Sequence, residues 1–407
     1  MKSKSLLTTK MSAGHQLTNF VNKDGIVLGF MILLFQLIPL NSCSSAAQLQ
    51  IKDILEAELD TLIPKLLKKE GVPGVSIAVI KAGKVVWAKG YGKADTRKNI
   101  PVDVNTIFQI GSVSKTLTAW GVMKLAEMRR INLDSPIDKY LKRWQLPALQ
   151  YDNKQVTIRR VLSHTAGLSV RGYNGVFKPG EKLPTLEQSL SGYTGSDGSL
   201  HVIQEPGKGY SYSSGGYTLL QLMIEDVTGL PFHQYMQTEI FHPLHMFNTV
   251  YEWTSELKSA VATPYNKDGE AYPHYQFVEQ GSGGIYTTVT DLARFIAATT
   301  SSTDQPAGRG VLQSHSVTQM IKPAEGTNRE YGLGYKMAPM TQTEMLVSHD
   351  GANEGWRAAF YLHPSKGDGI VLLVNSDAGG KIGAPIICAV FARSKIDISS
   401  LCSTLPK

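Results

Sequence analysis

The sequence predicts an α+β fold, an α/β sandwich. One antiparallel sheet is drawn from both chain ends and flanked by helices, with a mainly helical region inserted between. Three observations carry this: a strand–turn–strand signal early in the chain, strand signals that return only late, and apolar residues at helical spacing through the middle. At 407 residues the chain has room for a large core. Hydrophobic residues make 42% and charged residues only 18%, which excludes a disordered polyelectrolyte.

The N-terminus reads as an export segment over residues 1–47. Lys2, Lys4, Lys10 and Lys23 against Asp24 give it +3 of the chain's net +7. Later basic residues cluster only in pairs such as Lys68-Lys69, Arg129-Arg130 and Arg159-Arg160, so no nucleic-acid partner is expected. Gly25 to Leu40 is apolar apart from Gln36 and Pro39, short for a spanning helix and long enough for a secretory signal. The expected location is extracytoplasmic, periplasmic or at the cell surface. Leu40-Asn41-Ser42-Cys43 resembles the bacterial lipoprotein box, although Asn41 departs from the residue usual there. Cys43 is therefore the candidate lipidation site and membrane anchor; cleavage near Ala46 or an uncleaved anchor are the alternatives.

Residues 48–395 read as a single domain, with a sheet part over about 48–125 plus 283–395, a helical part over about 126–282, and a tail at 396–407. Leu49 to Lys69 has helical periodicity, and Gly71-Val72-Pro73-Gly74 stops it. Val75–Ile80 and Lys84–Ala88 flank Lys81-Ala82-Gly83 as a hairpin. Helices follow over Thr116–Met128, Val156–Leu162, Tyr217–Val227 and Phe232–Ile240, and another over Asp291–Ala298 with Thr290 as its cap. Val170–Gly209 holds eight glycines and reads as a surface loop or lid. Strands return at Met345–Ser348, Arg357–Leu362 and Ile370–Asn375. Three cysteines exclude a disulfide-framed fold and a thiolate metal site. Cys388 and Cys402 are either a C-terminal disulfide or two free thiols, one in an apolar element and one in a frayed tail.

Three constellations carry chemistry. Ser112-Val113-Ser114-Lys115 follows Phe108-Gln109-Ile110-Gly111 and opens a helix. Three residues apart on a helix, serine and lysine share a face, so a desolvated lysine can take the hydroxyl proton. An isolated Ser-x-x-Lys is more often a cap and a surface lysine, and a second copy occurs at Ser255-Glu256-Leu257-Lys258. Tyr210-Ser211-Tyr212-Ser213-Ser214-Gly215-Gly216 could bring the Tyr212 phenol to a reacting centre, where a lysine cation would favour the phenolate. Ser348-His349-Asp350-Gly351-Ala352 ends an apolar strand, with Gly351 placed to let a substrate approach.

In this order these pieces resemble the motifs of the serine β-lactamases and penicillin-binding proteins, especially the class C β-lactamase and D,D-peptidase branch. Leu162-Ser163-His164-Thr165-Ala166-Gly167-Leu168, Gly283-Gly284-Ile285-Tyr286-Thr287-Thr288 and Tyr331-Gly332-Leu333-Gly334-Tyr335 are similar to further phrases of that family, which extends the resemblance from about Gly74 to Asn375. The resemblance implies a β-lactamase/transpeptidase-like fold and an acyl-enzyme hydrolase without a cofactor or metal, acting on a small-molecule or peptide substrate. Ser112 would be the nucleophile, Lys115 its proton acceptor and Tyr212 the base or shuttle to the leaving group. The oxyanion hole would be the backbone N–H groups of Ser112 and Ala352. Ser214, His349 and Gly351 would bind substrate, and His164 would be structural.

Two departures bear on substrate. Tyr-x-Asn is Tyr212-Ser213-Ser214 here, so a short hydroxyl replaces an amide. Lys-Thr-Gly is His349-Asp350-Gly351, a form familiar in D,D-peptidases, D-amino-acid peptidases and esterases. Both favour esters over β-lactam antibiotics. An α/β-hydrolase would need Gly-x-Ser-x-Gly, which is absent. His242-Pro243-Leu244-His245 lacks the glutamate of a zinc hydrolase motif. The remaining rival is a sensing relative that is acylated but does not turn over.

Overall fold

The helix Leu40–Glu70 buries Leu55, Leu59, Ile63 and Leu67, which recur every four residues and so line one stripe. It begins nine residues before the periodicity suggests. The computed structural model describes the backbone from Leu40 except residues 174–176, 196, 341–343, 395, 400, 401 and 403–407, and side chains from Ile54. Residues 1–39 of the expected export segment, and the Cys43 side chain, lie outside the described part. The chain divides into two units, Met1–Ala47 and Gln48–Lys407. Among the described residues no helix is long and apolar enough to cross a membrane.

The second unit is built on a seven-stranded sheet. Its strands are β1 (Gly74–Lys81), β2 (Lys84–Asp95), β3 (Ile100–Pro101), β6 (Lys336–Pro339), β7 (Met345–Asn353), β8 (Trp356–His363) and β9 (Asp368–Val374). Their order is β3-β2-β1-β9-β8-β7-β6, every pairing antiparallel. β1 lies against β9, Ile77 opposite Leu372, so one ladder joins the two ends of the chain as the sequence predicts. A separate pair, β4 (Ile107–Gln109) and β5 (Tyr286–Thr288), links the residues before Ser112 to the end of the insertion.

Both faces of the sheet are covered, which is why its central strands are continuous apolar runs. Val75, Ile77, Val79, Ile370, Leu372 and Val374 share one core with the Leu40–Glu70 and Gly380–Arg393 helices. Ala78, Ile80, Val371 and Leu373 share the other with the Val289–Ala298 helix and the helical region. The result is an α+β sandwich.

Local chemistry corrects several expectations. The Val289–Ala298 helix is capped by Thr288, whose hydroxyl accepts from Asp291 N at 3.2 Å; Thr290 lies inside the helix. Residues 170–209 contain a short helix, Leu186–Leu190, closed by a capping box between Thr185 and Gln188. That Thr-x-x-Gln signal is present in the sequence. The Ser114–Glu127 helix packs on Ser214–Thr228 and Gln280–Gly283, within the helical layer.

The described part of the C-terminal tail is anchored. Ile396 and Ile398 are buried in the core beneath the first helix, and Cys388 and Cys402 form a disulfide. Closing a loop of this length stabilises by about 3 kcal/mol in the chain-entropy picture. Protein purified without reductant should be lighter by two hydrogens than the reduced form, and reduction should loosen residues after Arg393 to proteolysis. Equal masses would show free thiols.

Candidate active site

Ser112 stands in a tight turn, Gly111–Val113, that runs into the Ser114–Glu127 helix. Gly111 has φ +49°, a left-handed conformation that glycine adopts without strain. A Cβ there would lie 2.8 Å from Ala352 N. One turn on, Lys115 reaches back and its Nζ donates to Ser112 Oγ at 3.1 Å and to the Ser282 carbonyl at 2.7 Å. The side chain is wholly buried. Desolvation, assisted by the nearby Lys336 charge and opposed by Asp350, pulls its pKa down to about 7. Lys115 is therefore largely a free amine just above neutral pH, able to receive a proton.

Tyr212 approaches from the opposite side, its hydroxyl donating to Ser112 Oγ at 2.9 Å. Its position is fixed by its neighbours. Ser213 caps the Ser214–Thr228 helix, accepting from Gly216 N at 3.0 Å. His164, at φ +58°, accepts from Ser211 N through its carbonyl at 2.7 Å and from Ser213 N through Nδ1 at 3.1 Å. Its ring lies 4.4 Å from that of Tyr212. His164 thus bonds backbone, and in doing so grips the tyrosine from both sides. Burial, then the Lys115 charge, hold it well below its ordinary pKa.

Tyr212 differs from expectation in its charge. Burial raises the phenol well above its usual range, outweighing the Ser112 hydrogen bond, so it stays protonated. Of the two groups at Ser112, the Lys115 amine and not a phenolate is the one available to take up a proton near neutral pH. Tyr212 can relay a proton between Ser112 and a leaving group.

The three residues expected to bind substrate are each engaged within the protein. Ser214 Oγ donates to the Arg171 carbonyl at 2.8 Å, securing the 170–209 segment. His349 is buried: Nδ1 lies 2.7 Å from the Asp350 carbonyl and Nε2 lies 3.0 Å from the Tyr331 hydroxyl. Since a carbonyl only accepts, Nδ1 carries the proton and Nε2 accepts from Tyr331. Desolvation drops the His349 pKa to about 3, which makes the ring neutral. Gly351 serves packing. A Cβ there would sit 2.0 Å from Ile110 O and 2.9 Å from Ser112 N, so only glycine lets β7 lie against the nucleophile's turn. That contact holds the backbone around Ser112 close to the backbone of Gly351 and Ala352.

Sequence reasoning missed the Ser282 carbonyl, which no motif marks, and an ion pair between Lys336 and Asp350. Their positions on adjacent strands bring them together. The second Ser-x-x-Lys copy is different in kind: Ser255 and Lys258 are exposed, and the Ser255 hydroxyl donates to Glu256. His242 and His245 are exposed and flank Phe247.

Comparison with known proteins gives the family and the fold. The profile of the family described as Beta-lactamase matches residues 59–386. The chain is 28% identical over 327 residues to Protein flp of Staphylococcus aureus, covering 79% of this chain and 63% of that protein. It thus spans about two thirds of that longer relative. The octameric penicillin-binding protein homologue from Pyrococcus abyssi superposes with a TM-score of 0.64 at 28% identity, over 79% of this chain and 74% of that one. The Beta-Lactamase/D-Alanine Carboxypeptidase from Pseudomonas syringae shares the fold, with a TM-score of 0.66 at 20% identity over 82% and 99% of the two chains.

The glycine contact is testable. Gly351→Ala should cost about 1–3 kcal/mol in urea unfolding, because a backbone carbonyl cannot step aside. Gly380→Ala, where a Cβ would meet nothing within 4 Å, should leave stability unchanged or raise it. Similar values for the two would refute the packing role.

Proposed function

The chain belongs to the beta-lactamase family, and from that premise we propose that it is an exported serine hydrolase that works through an acyl-enzyme on Ser112. The observation that carries the reading is the buried Lys115, with its pKa near 7, 3.1 Å from the Ser112 hydroxyl. A serine hydroxyl is a weak nucleophile until a neighbouring base takes its proton.

In the proposed sequence the neutral amine of Lys115 takes the Ser112 proton as Oγ attacks the acyl carbon. The Ser112 and Ala352 amides receive the charge that develops on the carbonyl oxygen. Collapse expels the leaving group, which takes a proton through Tyr212, and Lys115 ends neutral again. Water then enters, loses its proton to the same pair of groups, and releases the acid with Ser112 restored.

The substrate class is an ester or amide, with D-amino-acid peptides, esters and β-lactams all chemically admissible. Esters are favoured, because no asparagine amide stands at position 214 to hold an acylamide carbonyl and the Ser214 hydroxyl is spent on Arg171. Export rests on the apolar Gly25–Leu40 stretch and is supported by the Cys388–Cys402 disulfide, a bond favoured in oxidising compartments. Lipid attachment through Cys43 belongs to the same proposal.

A fluorophosphonate probe should label a single peptide containing Ser112, and Ser112→Ala should stay folded and unlabelled; labelling of Ser255 instead would overturn the assignment. Steady turnover of a p-nitrophenyl ester is expected, whereas a burst without it would identify an acylated sensor. Because the active form of Lys115 is its free base, kcat/KM should rise with pH through about 7 and level off above. Lys115→Arg, which stays charged, should lose about 10² to 10⁴ in rate across the range. A rate that falls on going from pH 6 to 8 would exclude Lys115 as the base.

A further inference from the structure

Lys336 is the first residue of β6 and lies opposite Ser348 of β7. Asp350, two residues further along β7, projects from the same face just beyond the last β6–β7 pair, so the two side chains meet diagonally as an ion pair. They stand where β7 leaves β6 and turns against Ser112, one residue before the Gly351 contact. Both charges act on Lys115, with opposite signs. The pair is open to solvent: the Asp350 side chain is 60% exposed and that of Lys336 36%. His349 is neutral and has both ring nitrogens occupied, so it offers no cation to a ligand.

We propose that Asp350 is a specificity-determining residue that occupies Lys336 in place of a substrate carboxylate, turning the site toward acyl donors whose leaving group is uncharged. A carboxylate on the leaving-group side must displace Asp350 from the ammonium and then lie beside the displaced anion. An uncharged group meets neither obstacle. An exposed pair of this kind is weak, so the effect is a bias and not a barrier. The inference rests on the reading of Ser112 as nucleophile.

Two phenylacetyl esters separate the terms: that of 3-hydroxybenzoate, which carries a carboxylate, and that of its methyl ester, which does not. The readout is the ratio of kcat/KM for the charged ester to that for the neutral one. Any change in Lys115 basicity caused by altering Asp350 affects both esters alike and leaves the ratio unmoved. Asp350→Asn should raise the ratio by about fivefold, the scale of one exposed charge pair. Adding Lys336→Gln should abolish that gain, since the freed ammonium is then missing. A ratio unchanged in Asp350→Asn, or a gain that survives loss of Lys336, overturns the proposal. If Ser112→Ala removes hydrolysis of the neutral ester while the ratio fails to move, only this inference falls. If hydrolysis survives Ser112→Ala, the Ser112 reading falls and takes the inference with it.

Discussion

The site depends on keeping one ammonium out of water. Lys115 is buried with two oxygen partners, Ser112 Oγ and the Ser282 carbonyl, neither of them a carboxylate. A buried lysine beside an aspartate would stay charged, whereas hydroxyl and carbonyl partners stabilise the ammonium less and also suit the free amine. The groups around it follow the same rule. Tyr212 and Tyr217 present ring faces 5.1 and 5.8 Å from the nitrogen, and His164 and His349 are held neutral by burial. Low polarity favours the free amine, the form in which the proposed mechanism uses Lys115.

A second constraint is backbone contact. The nucleophile's turn and the end of β7 approach so closely that neither Gly111 nor Gly351 has room for a Cβ. Interdigitated side chains would hold the two segments apart; bare backbone lets the turn at Ser112 and the end of β7 lie against one another. His164 plays the matching part on the other wall, taking hydrogen bonds from the residues on either side of Tyr212. Three separate segments thus meet at one hydroxyl through contacts made mostly by backbone.

The proposed catalytic groups and the charged pair occupy different layers. Nucleophile, lysine and tyrosine lie deep, against the helical region. The Lys336–Asp350 pair lies at the rim, where exposure makes its energy small. On the proposals made for them, the deep groups would decide whether chemistry occurs at all, and the rim charges would bias which substrate is taken. The two can therefore vary independently.

The sequence by itself determined the antiparallel sheet drawn from both chain ends, because β1 and β9 are apolar runs that need cover on both faces, and it marked Ser112, Lys115 and Tyr212 through spacing and motif. It could not show the Ser282 carbonyl, which has no side-chain signature, nor the protonation of Tyr212, which depends on desolvation by residues far away in the chain. Position at a strand end suggested that Gly351 meets substrate, and family resemblance suggested the same of His349. Folding gave Gly351 a carbonyl at van der Waals limits and gave His349 two internal partners. The helical layer, the cap at Thr288 and the Lys336–Asp350 pair were likewise settled only in three dimensions. Motifs record which chemical groups are present, but burial and register set their charge and direction, and these arise from contacts between segments that the chain order keeps apart.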